Sequence, residues 1–208
     1  MKKKKVAIIG GSISKDEAPY DDKKWEVWSC NEMSVPRFDR HFEMHPMTVQ
    51  TVKELVWLWH CEKPIYVLEE TPLVPKGIVY PKDEILKQPW ADEYFTCTFA
   101  YEIALAIYEG FETIGLWGMN AEQGSPRERV IESACIQHWL AIAKGKGIEV
   151  IWKEHPMYNR WLYGYDYNKE KYHIETWLCR LAIQTIYRVG PEHTSIGGDF
   201  DPIRRITE

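Results

Sequence analysis

Three stretches of this sequence carry residue types at spacings that could do chemistry. The first is a glycine turn. Val6-Ala7-Ile8-Ile9 runs directly into Gly10-Gly11-Ser12-Ile13-Ser14. A buried strand ending in glycines is the first half of a nucleotide-binding βα unit, because loop amides and a helix N-terminus can then face an anion. The turn lacks the third glycine of GxGxxG, and no Gly-Lys-Ser/Thr follows it. Holding a phosphate and making a plain tight turn both fit it.

The second stretch is His41-Phe42-Glu43-Met44-His45, where His41, Glu43 and His45 alternate onto one face of a strand. Two imidazoles and a carboxylate could ligate zinc or move protons, and a strand with one polar face gives the same alternation. No metal is assigned. Glu43 and His45 end the strand, which places them where a ligand would be met. The third stretch is a pair of helix entries. Thr96-Cys97-Thr98 precedes an Ala-rich helix, where hydroxyls and unpaired amides suit an anionic or ribosyl group or simply cap the helix. Gly118-Met119-Asn120 leads through a polar loop to Pro126-Arg127-Glu128-Arg129. Arginines at a helix start oppose the dipole, so Arg127 points to an anion or to pairing with Glu128 or Glu132.

The elements that must position these residues alternate. Strands are predicted at Val6–Ile9, Trp25–Cys30, Arg40–His45, Pro64–Leu68, within Phe111–Gly118, and at Ile148–Trp152. A helix capped by Thr48 is predicted through His60, with Val52, Leu55, Val56 and Trp59 at core spacing. Thr71–Pro81 reads as a loop, Asp83–Lys87 as a helical turn, Phe99–Tyr108 as a helix capped by Thr96 or Thr98, and Pro126–Lys144 as a second long helix. Such alternation predicts an α/β, Rossmann-like, mostly parallel sheet with helices on both faces. Residues 1–153 form this domain. Residues 154–208 change texture: Tyr158, Trp161, Tyr163, Tyr165 and Tyr167 precede an amphipathic run, Ile174–Tyr187. They read as a C-terminal helical appendage, packing on the sheet or on a second subunit as a homodimer would.

In parallel sheets ligands meet the carboxyl ends of the strands. The expected ligand-binding set is therefore Gly10, Gly11, Ser12, Ser14, Asn31, Glu43, His45, Thr96, Thr98, Gly118, Asn120 and Arg127. His45 is the catalytic base only if the protein is an enzyme, with His155 as another candidate.

Composition narrows the class. Among 208 residues, 26 Lys+Arg against 31 Asp+Glu leave a net charge of −5, which argues against non-specific nucleic-acid binding. No apolar run reaches the roughly 18 residues of a membrane span, and Lys2–Lys5 precede too short an apolar stretch for a signal peptide. Five scattered cysteines without CxxC read as free buried thiols. A cytoplasmic protein without membrane contact and without a bound cofactor is expected.

The segments Trp25–Asn31, Phe42–His45, Tyr94–Tyr101, Ala104–Ile107 and Ile114–Gly118 resemble a widespread group of uncharacterised bacteriophage Rossmann-like proteins, over about residues 4 to 152. The Ala-rich helix, Gly110-Phe-Glu-Thr-Ile114 and the strand that follows are more distantly similar to sialyltransferase-like and MptE-like (DUF115-type) α/β proteins. That resemblance implies a nucleotide-sugar or pterin diphosphate site formed by the loop after this strand and the start of this helix. Three functions follow as expectations. One is a phage-encoded binder of a nucleotide or ribose-phosphate type small molecule in the host cytoplasm, sequestering a nucleotide immune signal. The others are a glycosyltransferase using a sugar nucleotide, and a structural or interaction protein.

Overall fold

A computed structural model describes residues 4–31, 34–119 and 125–152. Among the described residues seven strands form one sheet, and every pairing between them is parallel. They are β1 (Lys5–Ile9), β2 (Trp25–Cys30), β3 (Arg40–Glu43), β4 (Ile65–Val67), β5 (Gly77–Val79), β6 (Thr113–Trp117) and β7 (Glu149–Trp152). Their spatial order is β5-β4-β3-β2-β1-β6-β7. The chain thus lays strands outward from β1 in one direction, then returns to place β6 on the other side of β1. That reversal makes the β1–β6 junction the topological switch point.

Among the described residues the α-helices are α1 (Val52–His60), α2 (Lys82–Leu86), α3 (Thr98–Tyr108) and α4 (Pro126–Gly145). Strand alternation divides the core in two. Val6, Ile8, Trp28, Cys30, Phe42, Ile114 and Leu116 face one side, packed with Ile85 of α2, Ile103 and Leu105 of α3, and Trp139 of α4. Ala7, Ile9, Trp25, Val27 and Trp117 face the other, and so do Ile65 and Val67, which meet Leu58 of α1. Both faces are covered, which explains why Val6–Ile9 and Ile114–Trp117 are apolar and buried at every position rather than alternating. The chain is a Rossmann-like α/β protein in this region. Among the described residues no helix is long and apolar enough to cross a membrane.

Most predicted strands lie where expected, with β3 ending two residues earlier at Glu43. Three features differ. The stretch read as a loop, Thr71–Pro81, contains β5, a three-residue edge strand exposed along its length and paired to β4. Helix α1 starts after Thr51, not Thr48. The Thr51 side chain accepts from the Glu54 amide, and the Glu54 carboxylate accepts from the Thr51 amide, while Met47–Val49 forms a 3₁₀ turn. Its inward side differs as well: Leu58 is buried and Val52, Val56 and Trp59 are exposed. Finally, α3 is capped by neither threonine. Cys97 is the extended N-cap residue, and its side chain makes no capping hydrogen bond.

At the amino edge of the sheet, Arg40 joins three elements. Its Nε lies 2.5 Å from Glu26, and a terminal nitrogen lies 2.6 Å from Glu109, just past α3. The guanidinium also sits over the Trp28 ring. These contacts fix β3 against β2 far from the carboxyl edge.

Candidate functional site

Because the sheet is wholly parallel, Gly10, Asn31, Glu43 and Gly118, which follow or end β1, β2, β3 and β6, share one edge. Two separate arrangements occupy it.

At the switch point the β1 and β6 loops are sewn together. The Gly10 amide donates to the Trp117 carbonyl at 2.7 Å, and the Ser12 amide donates to the Gly118 carbonyl at 2.8 Å. The Gly118 amide in turn donates to Ser14 Oγ at 2.8 Å. A Cβ on Gly10 would collide with the Gly118 carbonyl, a Cβ on Gly118 would collide with the Gly10 carbonyl, and Gly118 has φ of 67°. The glycines are therefore needed for close approach of two backbones. The Gly10 and Ser12 amides, which a phosphate would use, are engaged with protein carbonyls.

One strand further along, a cavity of about 350 Å³ opens beside the ends of β2 and β3, under α1. Asn31, Ser34, Val35, Phe38, His41, Glu43, Lys53, Glu54, Trp57 and Leu58 line it. A volume of this order falls at the lower end of the range of small-molecule sites. The α1 cap sets its far wall: the Thr51–Glu54 box fixes where the helix begins, so that Lys53, Glu54 and Trp57 face the strand ends. Asn31 has φ of 55°, and it is the non-glycine residue with positive φ among those described. A short polar side chain tolerates this conformation best.

The polar groups of this cavity are arranged in two pairs. His41 is 1% exposed, and its Nδ1 lies 3.0 Å from Ser29 Oγ. Its Nε2 has no hydrogen-bond partner among the described residues. Burial pulls the imidazole pKa down to about 4, so the ring is neutral near pH 7. Phe38 and Trp57 pack against it, with centroids 6.0 and 4.7 Å away. The second pair is Glu43 with His45. The Glu43 side chain is 4% exposed and accepts from His45 Nδ1 at 2.8 Å, whereas the His45 side chain is half exposed. The same carboxylate oxygen accepts from the His45 amide at 3.2 Å. This leaves the His45 ring held by its inner nitrogen, with its outer side toward solvent. A buried carboxylate orienting an exposed imidazole is able to hold a ligand or to take up a proton.

Of the residues expected from sequence, the structure brings Asn31 and Glu43 together in the cavity lining, with His45 bonded to Glu43. Gly10, Gly11, Ser12, Ser14 and Gly118 belong to the switch-point arrangement. Thr98 is buried in the first turn of α3, and Thr96 is exposed, donating to the Ile131 carbonyl at 3.4 Å. Arg127 is exposed in the first turn of α4, whose N-terminus is closed by a Ser125–Glu128 capping box. Asn120 and residues 153–208, with His155 and the aromatic appendage, lie outside the described residues. Among the described residues no three His, Cys, Asp or Glu side chains converge as metal ligands. Sequence reading missed Ser34, Val35, Phe38, Lys53, Glu54 and Trp57. The Thr51-x-x-Glu54 signature was the available clue, since it locates the helix that brings the last three to the strand ends.

No family model and no curated protein matches the chain. Among solved structures, it is similar to the sialyltransferase CstII from Campylobacter jejuni in complex with the substrate analogue cytidine-5'-monophosphate. The identity is 15% and the TM-score 0.48, over 72% of this chain and 79% of that chain. A second similar structure, the sialyltransferase CST-II in complex with trisaccharide acceptor and CMP, shows 16% identity and a TM-score of 0.46, over 72% of this chain and 80% of that one. The assignment to the Rossmann-like α/β class rests on the chain's own sheet order.

Proposed function

We propose that this protein binds a nucleotide or ribose-phosphate type small molecule at the carboxyl edge of its sheet, in the cavity between the ends of β2 and β3 and helix α1. The observation that supports this best is the composition of that cavity. A neutral buried imidazole, a buried carboxylate, an amide and a lysine share it with two aromatic rings. Polar groups converging in a partly apolar recess at strand ends are what small-ligand sites in α/β proteins require. Binding without turnover is the primary reading. It suits sequestration of a nucleotide signal in a host cytoplasm by a phage-encoded protein, a role that rests on the sequence resemblance alone.

A second reading is a glycosyltransferase acting on a sugar nucleotide. The Glu43–His45 pair favours it, since the carboxylate would stabilise an imidazolium formed when His45 takes the proton of an acceptor hydroxyl. Thermal unfolding with a panel of nucleotides at millimolar concentration tests the primary reading. A ligand present at 100 times its Kd stabilises the native state by about 2.7 kcal/mol. If no nucleotide raises the melting temperature, nucleotide binding is wrong and an interaction protein is the better description. Recovery of the nucleotide after long incubation with hydroxyl acceptors separates the two readings. Intact return supports binding alone, and cleavage that His45→Ala abolishes supports the transferase.

A further inference from the structure

The cavity has an inner wall whose chemistry differs from that of its rim, and the difference bears on which part of a nucleotide would enter it. Four buried or aromatic groups make the inner wall. His41 presents a ring with one nitrogen taken by Ser29 and the other unpartnered among the described residues, although the residue is almost fully buried. An orphaned imidazole nitrogen is costly unless something supplies its hydrogen bond. Phe38 and Trp57 pack against that ring and against each other, the three centroids forming a triangle with sides of 4.7 to 6.0 Å. Glu43 adds a carboxylate with only 4% of its side chain exposed. Glu54 contributes a second carboxylate to the lining. Two carboxylates against Lys53 leave the lining with an excess of negative charge, which disfavours a phosphate and attracts N–H donors, while aromatic walls favour a flat ring.

We propose, building on the nucleotide-binding reading, that this recess takes the nucleobase rather than the phosphate end. The base inserts beside Phe38 and Trp57, donates an N–H to Glu43, and displaces a neighbouring ring to reach His41 Nε2, which is itself fully buried. The phosphates then stay outside, away from Glu43 and Glu54. The recess therefore recognises a planar, uncharged heterocycle bearing N–H groups.

The test compares three probes by calorimetry: nucleoside 5'-monophosphates, the corresponding nucleosides, and ribose 5-phosphate, which has no base. Two variants of the full chain are used. His41→Phe keeps a flat ring and removes the nitrogen. Ser34→Trp fills the recess from an exposed loop position, where folding is not at stake. The nucleoside is expected to compete with its monophosphate, and ribose 5-phosphate is expected to bind far more weakly than either. His41→Phe should weaken monophosphate binding about ten-fold, the scale of one lost buried hydrogen bond, and Ser34→Trp should remove the base-dependent part. Monophosphates that bind wild type and both variants equally would overturn the base assignment while leaving nucleotide binding intact. Ribose 5-phosphate binding as well as the monophosphates would overturn it in the same way. If no probe binds wild type, the nucleotide-binding reading falls and this assignment falls with it.

Discussion

Replacing Glu102 by glutamine removes a carboxyl that the fold keeps dry. Glu102 lies on α3, is 0% exposed, and neither of its oxygens has a partner among the described residues. Burial pushes its pKa well above the ordinary carboxyl range. The folded state therefore holds a proton that the unfolded chain, titrating near 4.5, releases. Below that pH both states are protonated and the contribution to stability is complete. As pH rises toward the folded-state value, unfolding releases the proton, and stability is lost at up to about 1.4 kcal/mol per pH unit. Glutamine leaves a buried amide with its own fixed cost, but it does not titrate, so only the slope is diagnostic. Urea unfolding of wild type and Glu102→Gln from pH 5 to 8 measures it. The variant is expected to gain on wild type steadily over that span, until the wild-type carboxyl ionises in the folded state. A constant difference at every pH would refute the claim that Glu102 is buried without a partner.

Other consequences follow from the same geometry. Wild type should lose stability as pH falls from about 6.5 toward about 4, because the unfolded chain protonates His41 while the fold resists it; the span corresponds to about 3 kcal/mol at most, and His41→Phe should lack this component in acid titrations followed by fluorescence. Gly10→Ala should destabilise by at least about 2 kcal/mol in denaturant melts, since its Cβ meets the Gly118 carbonyl with no room to move. Thr51→Ala should cost about 1 kcal/mol through loss of the α1 cap. The same variant should also loosen the cavity wall, read as faster amide exchange over residues 52–58.

The fold was legible because its central strands are largely apolar. Trp25–Cys30 and the Val6–Ile9 run before Gly10 need no tertiary information to be recognised. Strand β5 was not, since Gly77–Val79 is short, exposed on an edge and flanked by proline-rich sequence, so its pairing with β4 is decided by the sheet and not by local pattern. Helix α1 misled for a different reason. Val52, Val56 and Trp59 have core spacing, yet the helix docks through Leu58 and leaves them exposed. The glycine turn was found, but its partner was not. Its close approach to Gly118 joins residues more than one hundred positions apart, a contact that no spacing rule encodes. In the same way His41 stood out as a strand residue, while the lining that gives it a role needed Trp57 and Phe38 brought in from other segments.

Nucleotide titration followed by backbone amide chemical shifts tests the location and the existence of the site together. The site described here predicts saturable shifts concentrated at Asn31, Ser34, Val35, Phe38 and the first two turns of α1, with Lys5 and Glu112 at the opposite edge unmoved. Shifts confined to other surfaces, or none with any nucleotide at millimolar concentration, would contradict it.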